Sequence, residues 1–191
     1  MSPSDTDKHY YMACLDLEGR DVLVVGGGSV ALEKVGGLLA AGAEVTVVAP
    51  AIRPELRALP VTLVERTFRP ADLDGRHLVV AATCDEAVNE AVFREAERRA
   101  LFCITVDDPD RCSLILPAVH REGPIAVAIS TGGASPALAK RIRDDVATLV
   151  GPRHAELARR LRELRPWAKR NLSSYDERKD YFERLVENAL R

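Results

Sequence analysis

Between residues 21 and 106 the chain alternates short β-branched runs with stretches of helical period. Asp21-Val-Leu-Val-Val25 is a continuous apolar run that ends abruptly in Gly26-Gly27-Gly28. Apolar positions then recur at Val30, Ala31, Val35, Leu38 and Leu39, the spacing of a helix with one buried face. Gly42 stands where such a helix ends. The alternation continues with strands over 44–49 (stopped by Pro50), 61–65 and 77–83, a short helix over 53–59, and a longer helix over 85–99 with Asp85 as N-cap. A fifth strand over 101–106 delivers Asp107-Asp108-Pro109. The polar opening, residues 1–8, is expected to be disordered, and 10–17 to be a short strand or an extended lead-in. Strands apolar on both faces and alternating with helices predict an α/β fold with a Rossmann-type parallel sheet. In such a sheet ligands collect beyond the carboxyl ends of the strands. Those ends are Gly26 to Ser29, Ala49-Pro50, Thr83 to Asp85 and Asp107-Asp108, which are expected to line one crevice.

Past residue 112 the pattern changes. Residues 113–119 and 125–130 are apolar runs joined through Arg121-Glu122-Gly123-Pro124, which predicts a β-hairpin. Thr131-Gly132-Gly133-Ala134 follows, and Ser135 as N-cap with Pro136 in the first turn starts a helix reaching about Val150. A hairpin and helix this apolar have little of their own to cover them, which predicts a dimer surface. Gly151-Pro152 breaks the chain before two more helices, about 153–170 and 174–190, the first with Leu157, Leu161, Leu164 and Ala168 on one face. The expected division is a Rossmann domain over 1–112, a dimerisation segment over 113–150 and a small C-terminal helical domain over 151–191.

Composition changes the picture in three places. No apolar run exceeds strand length and the first 20 residues lack a signal-peptide core, so the expectation is a cytoplasmic protein without a membrane partner. The four cysteines, Cys14, Cys84, Cys103 and Cys112, have no C-x-x-C spacing and read as buried reduced thiols, not as zinc ligands. His9, His77 and His154 suggest no metal cluster. Net charge is −2, but residues 151–191 carry 11 Lys and Arg against 7 Asp and Glu. Such a tail is either a solvated helix face or a surface for an anionic small molecule. A nucleic-acid partner is not expected, since the basic residues are interleaved with acids.

The glycines read as Gly26-x-Gly28-x-x-Ala31, the G-x-G-x-x-A form of the dinucleotide fingerprint. Gly26 permits the tight turn, Gly28 lets the backbone approach a pyrophosphate, and Ala31 lets the helix lie against the strand. The helix start at Ser29 and Val30 offers unpaired N–H groups and partial positive charge to that pyrophosphate. Glycines also simply turn a strand into a helix; the setting between a buried strand and an amphipathic helix favours the nucleotide. An acid for the ribose 2′-hydroxyl is expected about 20 residues on, yet the second strand ends in Ala49-Pro50. Arg53 is close enough to contact a 2′-phosphate, so residue types alone leave NAD and NADP both open.

Gly26-Gly27-Gly28-Ser29-Val30-Ala31 with Lys34, Val47-Val48-Ala49-Pro50, Ala81-Ala82-Thr83, Val106-Asp107-Asp108-Pro109 and Ser130-Thr131-Gly132-Gly133-Ala134-Ser135-Pro136 occur in this order. Together they resemble the precorrin-2 dehydrogenase family, the dehydrogenase module at the N-terminus of siroheme synthases, in its stand-alone form. The likeness is close over residues 11–149 and looser over the tail. It implies oxidation of precorrin-2 to sirohydrochlorin with NAD as hydride acceptor, a homodimer, and in some members insertion of ferrous iron as a chelatase. It implies contacts to the cofactor from Gly26, Gly28, Ser29, Val30, Ala49, Pro50 and Thr83. Asp107 matches the aspartate the family relies on and is assigned as base or proton relay, with His120 as a second acid/base or substrate contact. By residue type alone, Asp107-Asp108-Pro109 reads equally well as a turn whose carboxylates bond nearby N–H groups. The Thr131-Gly132-Gly133 turn with Ser135 supplies a backbone nest, and Arg111 a charge, for a tetrapyrrole bearing many carboxylates. Two rival readings remain: a non-enzymatic NAD-sensing Rossmann dimer, and a tetrapyrrole chelatase or carrier without hydride transfer.

Overall fold

The computed structural model describes residues 10–191; the disorder expected of residues 1–8 and the histidine at position 9 lie outside them. The chain divides into two compact units, residues 11–115 and residues 116–191 together with Tyr10. The first is an α/β layer structure. Five parallel strands, β1 (Asp21–Val25), β2 (Glu44–Val48), β3 (Thr62–Val64), β4 (Leu78–Ala81) and β5 (Phe102–Thr105), lie in the order β3-β2-β1-β4-β5. Their register sets Val24 beside Val47 on one side and Val80 on the other. Alternate residues feed two cores. Val22, Val24, Val45, Val47, Leu78, Val80 and Ile104 pack with Ala31, Val35 and Leu38 of helix α1 (Ser29–Ala40). Leu23, Val25, Val48, Val79, Ala81 and Cys103 pack on the other face with Val92 and Ala96 of helix α3 (Glu86–Arg98). Each such fully buried valine or leucine contributes roughly 1.5–3 kcal/mol over an exposed one. These runs form strands because both faces of the sheet are covered, which is what their unbroken apolar character foretold.

The helices begin and end where local chemistry dictates. Asp85 caps α3 by accepting from the N–H groups of Ala87 at 2.9 Å and Val88 at 3.3 Å. α1 closes in a Schellman motif, with Ala43 N–H bonded to Leu38 O, Gly42 N–H to Leu39 O, and Gly42 at φ +78°. α3 closes the same way, through Leu101 N–H to Ala96 O and Ala100 N–H to Glu97 O, but its left-handed residue is Ala100 at φ +53°. The short helix α2 spans Pro54–Arg57, and 3₁₀ turns cover Pro70–Leu73 and Pro109–Arg111. Residues 10–17 form neither strand nor helix, which leaves the extended lead-in.

The second unit holds an antiparallel hairpin, β6 (Ala118–Glu122) and β7 (Ile125–Ile129), and three helices, α4 (Pro136–Leu149), α5 (Pro152–Asn171) and α6 (Tyr175–Leu190). Strand β6 starts five residues later than the apolar run beginning at Ser113. The cause lies at β5: Ser113 and Leu114 donate their N–H groups to Cys103 O, so this stretch belongs to the sheet's edge, and Pro117 has no N–H to give. Arg121 and Glu122 are therefore strand residues, and Gly123-Pro124 alone makes the turn. Ser135 caps α4, its Oγ accepting from Leu138 N–H at 3.2 Å. Ser174 caps α6 in a reciprocal box with Glu177. Leu157, Leu161 and Leu164 are half-buried and Ala168 fully buried along α5, and Trp167 packs against Tyr181 of α6 with ring centroids 5.5 Å apart.

Candidate functional site

The carboxyl edge of the sheet gathers the cofactor residues by main-chain bonding. Gly26 N–H donates to Val48 O at 2.9 Å, Ala82 N–H to Val25 O at 2.8 Å, and Val106 N–H to Ala81 O at 3.0 Å. The ends of β2, β1, β4 and β5 thus stand side by side, and the strand order reverses between β1 and β4, the switch point at which open α/β sheets bind ligands. Gly26 is buried at φ +130°, and a Cβ there would lie 2.3 Å from Ala82 O. Only glycine lets β1 and β4 close so tightly at this point.

Gly28 differs. It is exposed, and a Cβ built on it meets no atom within 4 Å. It is the N-cap of α1, and among the described residues no side chain caps that helix or places an acid in its first turn. Ser29 and Val30 are exposed, Val30 at 37%. An uncapped helix start, open space and no competing carboxylate are what a pyrophosphate requires. The chain's own residues fit a dinucleotide. Ala49 is buried with Pro50 exposed at the end of β2.

Thr83, at the end of β4, is held by a residue the sequence reading passed over. Asn89, 92% buried on the inner face of α3, accepts from Thr83 N–H at 3.3 Å and from its hydroxyl at 2.8 Å, and donates to Thr83 O at 3.0 Å. A polar residue on the apolar stripe between Val88 and Val92 was the signal available in the sequence. Asn89 satisfies every main-chain group of Thr83 while burying its own amide, and so fixes the β4–α3 loop.

Asp107 and Asp108 separate cleanly. Asp108 accepts from the Arg111 N–H at 3.3 Å and its guanidinium at 2.8 Å, and so closes the 3₁₀ turn. Asp107 is exposed in left-handed conformation at φ +61°, and among the described residues its carboxylate has no hydrogen-bond or ion-pair partner. Asp tolerates this conformation better than most residues. Buried Cys112 pins the loop beneath it, accepting from Thr105 N–H at 3.2 Å and lying 3.2 Å from both Thr105 O and Asp108 O. Cys103 is also buried, and burial pushes its thiol up to about 12. Cys14 and Cys84 are exposed, which corrects the expectation that all four thiols are buried: both sit outside the helices and strands.

The other expected residues are arranged differently. Arg111 belongs to the first unit, its guanidinium joined to Asp108, to Glu86 at 3.2 Å and to Glu90 at 2.5 Å, three carboxylates that already neutralise it. His120, Thr131, Gly132, Gly133 and Ser135 lie in the second unit. His120 is half-buried with Nε2 2.8 Å from Val150 O, so this nitrogen carries the proton and donates to the carbonyl. Gly132 and Gly133 are left-handed at φ +62° and +92°. The Thr131 hydroxyl accepts from Ser135 N–H at 3.0 Å, Gly132 N–H donates to Ser130 Oγ at 3.1 Å and Ala134 N–H to Thr131 O at 3.0 Å. The turn is thus rigid from within, and most of its N–H groups are engaged there. Among the described residues no group of three or more His, Cys, Asp or Glu is placed to hold a metal ion, and no helix is long and apolar enough to cross a membrane.

Comparison with known proteins agrees with this geometry. An NAD(P)-binding family model matches residues 13–118, and the model for the central part of sirohaem biosynthesis proteins matches residues 122–149. The chain is 45% identical over 181 residues to siroheme synthase 2 of Aeromonas hydrophila subsp. hydrophila, covering 91% of the chain and 38% of that protein. It is 37% identical over 186 residues to siroheme synthase of Nitrosomonas eutropha, covering 95% and 39%. The chain spans about two fifths of the length of these curated relatives. Among solved structures, SirC, a precorrin-2 dehydrogenase, superposes with a TM-score of 0.79 at 31% identity, covering 93% of this chain and 89% of that one.

Proposed function

The chain belongs to the precorrin-2 dehydrogenase family, and on that premise we propose that it oxidises precorrin-2 to sirohydrochlorin with NAD. The observation that carries this reading is the open, uncapped start of α1 at Gly28 on the same sheet edge as the unpaired Asp107. A bound NAD would supply the hydride acceptor, so the protein's share of catalysis is positioning and proton handling. The backbone N–H groups of Ser29 and Val30 hold the pyrophosphate. Thr83, locked by Asn89, and Ala49-Pro50 line the path of the dinucleotide along the edge. Asp107, exposed and without an ion-pair partner among the described residues, accepts the proton that leaves the macrocycle as its hydride departs. Within the second unit, Thr131, Gly132, Gly133 and Ser135 offer a preformed turn suited to a carboxylate, and His120 a half-buried polar group. Arg111 is better read as the clamp on the Asp108 turn than as a substrate contact, because three carboxylates already hold it.

The protein acts as a homodimer in this reading. Leu138 at 52%, Ile142 at 38% and Leu149 at 70% exposure on α4, with Ala126 and Ala128 on the open face of the hairpin, support a covered surface in solution. Four cysteines without a disulfide support a reducing compartment, the cytoplasm. Ferrous iron is a second substrate: the same carboxylate that takes a proton in oxidation takes pyrrole protons during metal insertion. Anaerobic incubation with precorrin-2 and NAD, followed by absorbance, tests the dehydrogenase; sirohydrochlorin with ferrous iron tests the chelatase. NAD binding without turnover of precorrin-2 favours a sensor or carrier instead.

A further inference from the structure

The loop leaving β2 is laid directly on the glycine turn. A Cβ on Gly27 would sit 2.1 Å from Ala51 O, 3.0 Å from Ile52 Cα and 3.1 Å from Ala49 Cβ. The Arg53 N–H donates to Gly27 O at 3.1 Å. A Rossmann site keeps its adenosine ribose between these two segments: an acid at the end of the second strand holds a 2′-hydroxyl, or an arginine nearby takes a 2′-phosphate. Here the strand ends in uncharged Ala49 and Pro50, and the first charged side chains beyond it are Arg53 and Glu55. They are joined twice, Nη2 to Oε1 at 2.7 Å and Nε to Oε2 at 3.3 Å, and remain 47% and 49% exposed. The bond to Arg53 holds the Glu55 carboxyl below its ordinary range.

Resting on the reading of this crevice as a nicotinamide-dinucleotide site, we propose that the Arg53–Glu55 pair sets specificity for the adenosine ribose, with Glu55 occupying Arg53 so that a free 2′-hydroxyl is accepted and a 2′-phosphate is turned away. The planar guanidinium fork is the natural partner of a phosphate. While Glu55 fills that fork, an incoming phosphate of charge about −1.5 to −2 must displace one carboxylate oxygen after another and stay beside the anion it displaced. Exposed ion pairs are individually weak, so the pair is a competitor that one charge removal defeats. The missing acid at the strand end is thereby replaced by an acid acting through an arginine.

Calorimetric titration of NAD and NADP into the full chain, its Glu55→Gln and Arg53→Gln variants and the double variant tests this. The wild type is expected to bind NAD more tightly than NADP by about tenfold or more. Glu55→Gln should cut that ratio by about tenfold, the effect of removing one unit charge about 6 Å from a phosphate of charge about −2 at the dielectric of bulk water, about 80. Adding Arg53→Gln should abolish the gain in NADP affinity. A ratio in Glu55→Gln within about twofold of wild type, or a gain that survives loss of Arg53, overturns the proposal. So does a wild type with no preference. Failure of the wild type to bind either nucleotide would instead overturn the dinucleotide reading on which it rests.

Discussion

Gly26 and Gly28, two residues apart, have opposite requirements, and paired substitutions expose the difference. At Gly28 the backbone is extended, φ −89° and ψ −168°, a conformation any residue adopts, and a Cβ there meets nothing within 4 Å. Replacing an unstrained glycine by alanine gains about 0.4–1 kcal/mol through the unfolded chain. Alanine as N-cap loses a similar amount relative to glycine. The two offset, so Gly28→Ala should unfold within about 3 °C of wild type in a thermal scan. The same methyl stands where the pyrophosphate must approach the α1 N–H groups. Losing one charge-assisted bond costs about 1.5–3 kcal/mol, so NAD affinity measured by calorimetry should fall roughly 10- to 100-fold. Gly26→Ala must instead relieve a 2.3 Å approach to Ala82 O from a left-handed backbone at φ +130°. It should lose several kcal/mol of stability, with binding lost as a consequence. Gly28→Ala binding NAD within about twofold of wild type would refute the assignment of the pyrophosphate to this helix start.

Three further outcomes follow from local geometry. Ala100→Gly, at a left-handed C′ position that alanine fills at a cost, should raise stability by about 1 kcal/mol in urea denaturation, with no change in slope. Asp72 is bonded to Arg66 and to the Arg69 N–H at 2.8 Å, and Arg66 chiefly holds its carboxyl below the usual range. That contribution is complete at neutral pH and lost as pH falls through the depressed folded-state value; Asp72→Asn should therefore cost about 1 kcal/mol at pH 7, begin to converge with wild type only as pH drops below about 4, and meet it below the depressed folded-state value. Size-exclusion chromatography with light scattering of Leu138→Glu should show dissociation of a dimer to monomers; an unchanged mass would remove α4 from the interface.

The parallel sheet was legible because its strands are unbroken β-branched runs between punctuating glycines and prolines, and the caps at Asp85 and Ser135 carried their own signatures. The start of β6 was not legible, since residues 113–117 are as apolar as a strand. Only the tertiary bonds from Ser113 and Leu114 to Cys103 O take them away from the hairpin. In the site, the fingerprint announced Gly26 as the turn and Gly28 as the open approach, but not that Ala82 O at the end of β4 is what closes on Gly26. The role of Asn89 needs α3 to bring it back to Thr83, and the occupation of Arg111 needs Glu86 and Glu90 to project from that same helix. Spacing along a chain does not report which charges are already neutralised.

The central claim joins a dinucleotide on the α1 start to a proton acceptor on the β5 loop. It is tested most directly by anaerobic turnover of precorrin-2 by wild type and Asp107→Asn, with NADH counted against sirohydrochlorin and NAD affinity measured on the same samples. The expected result is one NADH per sirohydrochlorin from the wild type, with the variant slowed about 100-fold or more and its NAD affinity within about twofold. A variant that turns over at the wild-type rate, or a wild type that binds NAD and forms no NADH, would contradict the account.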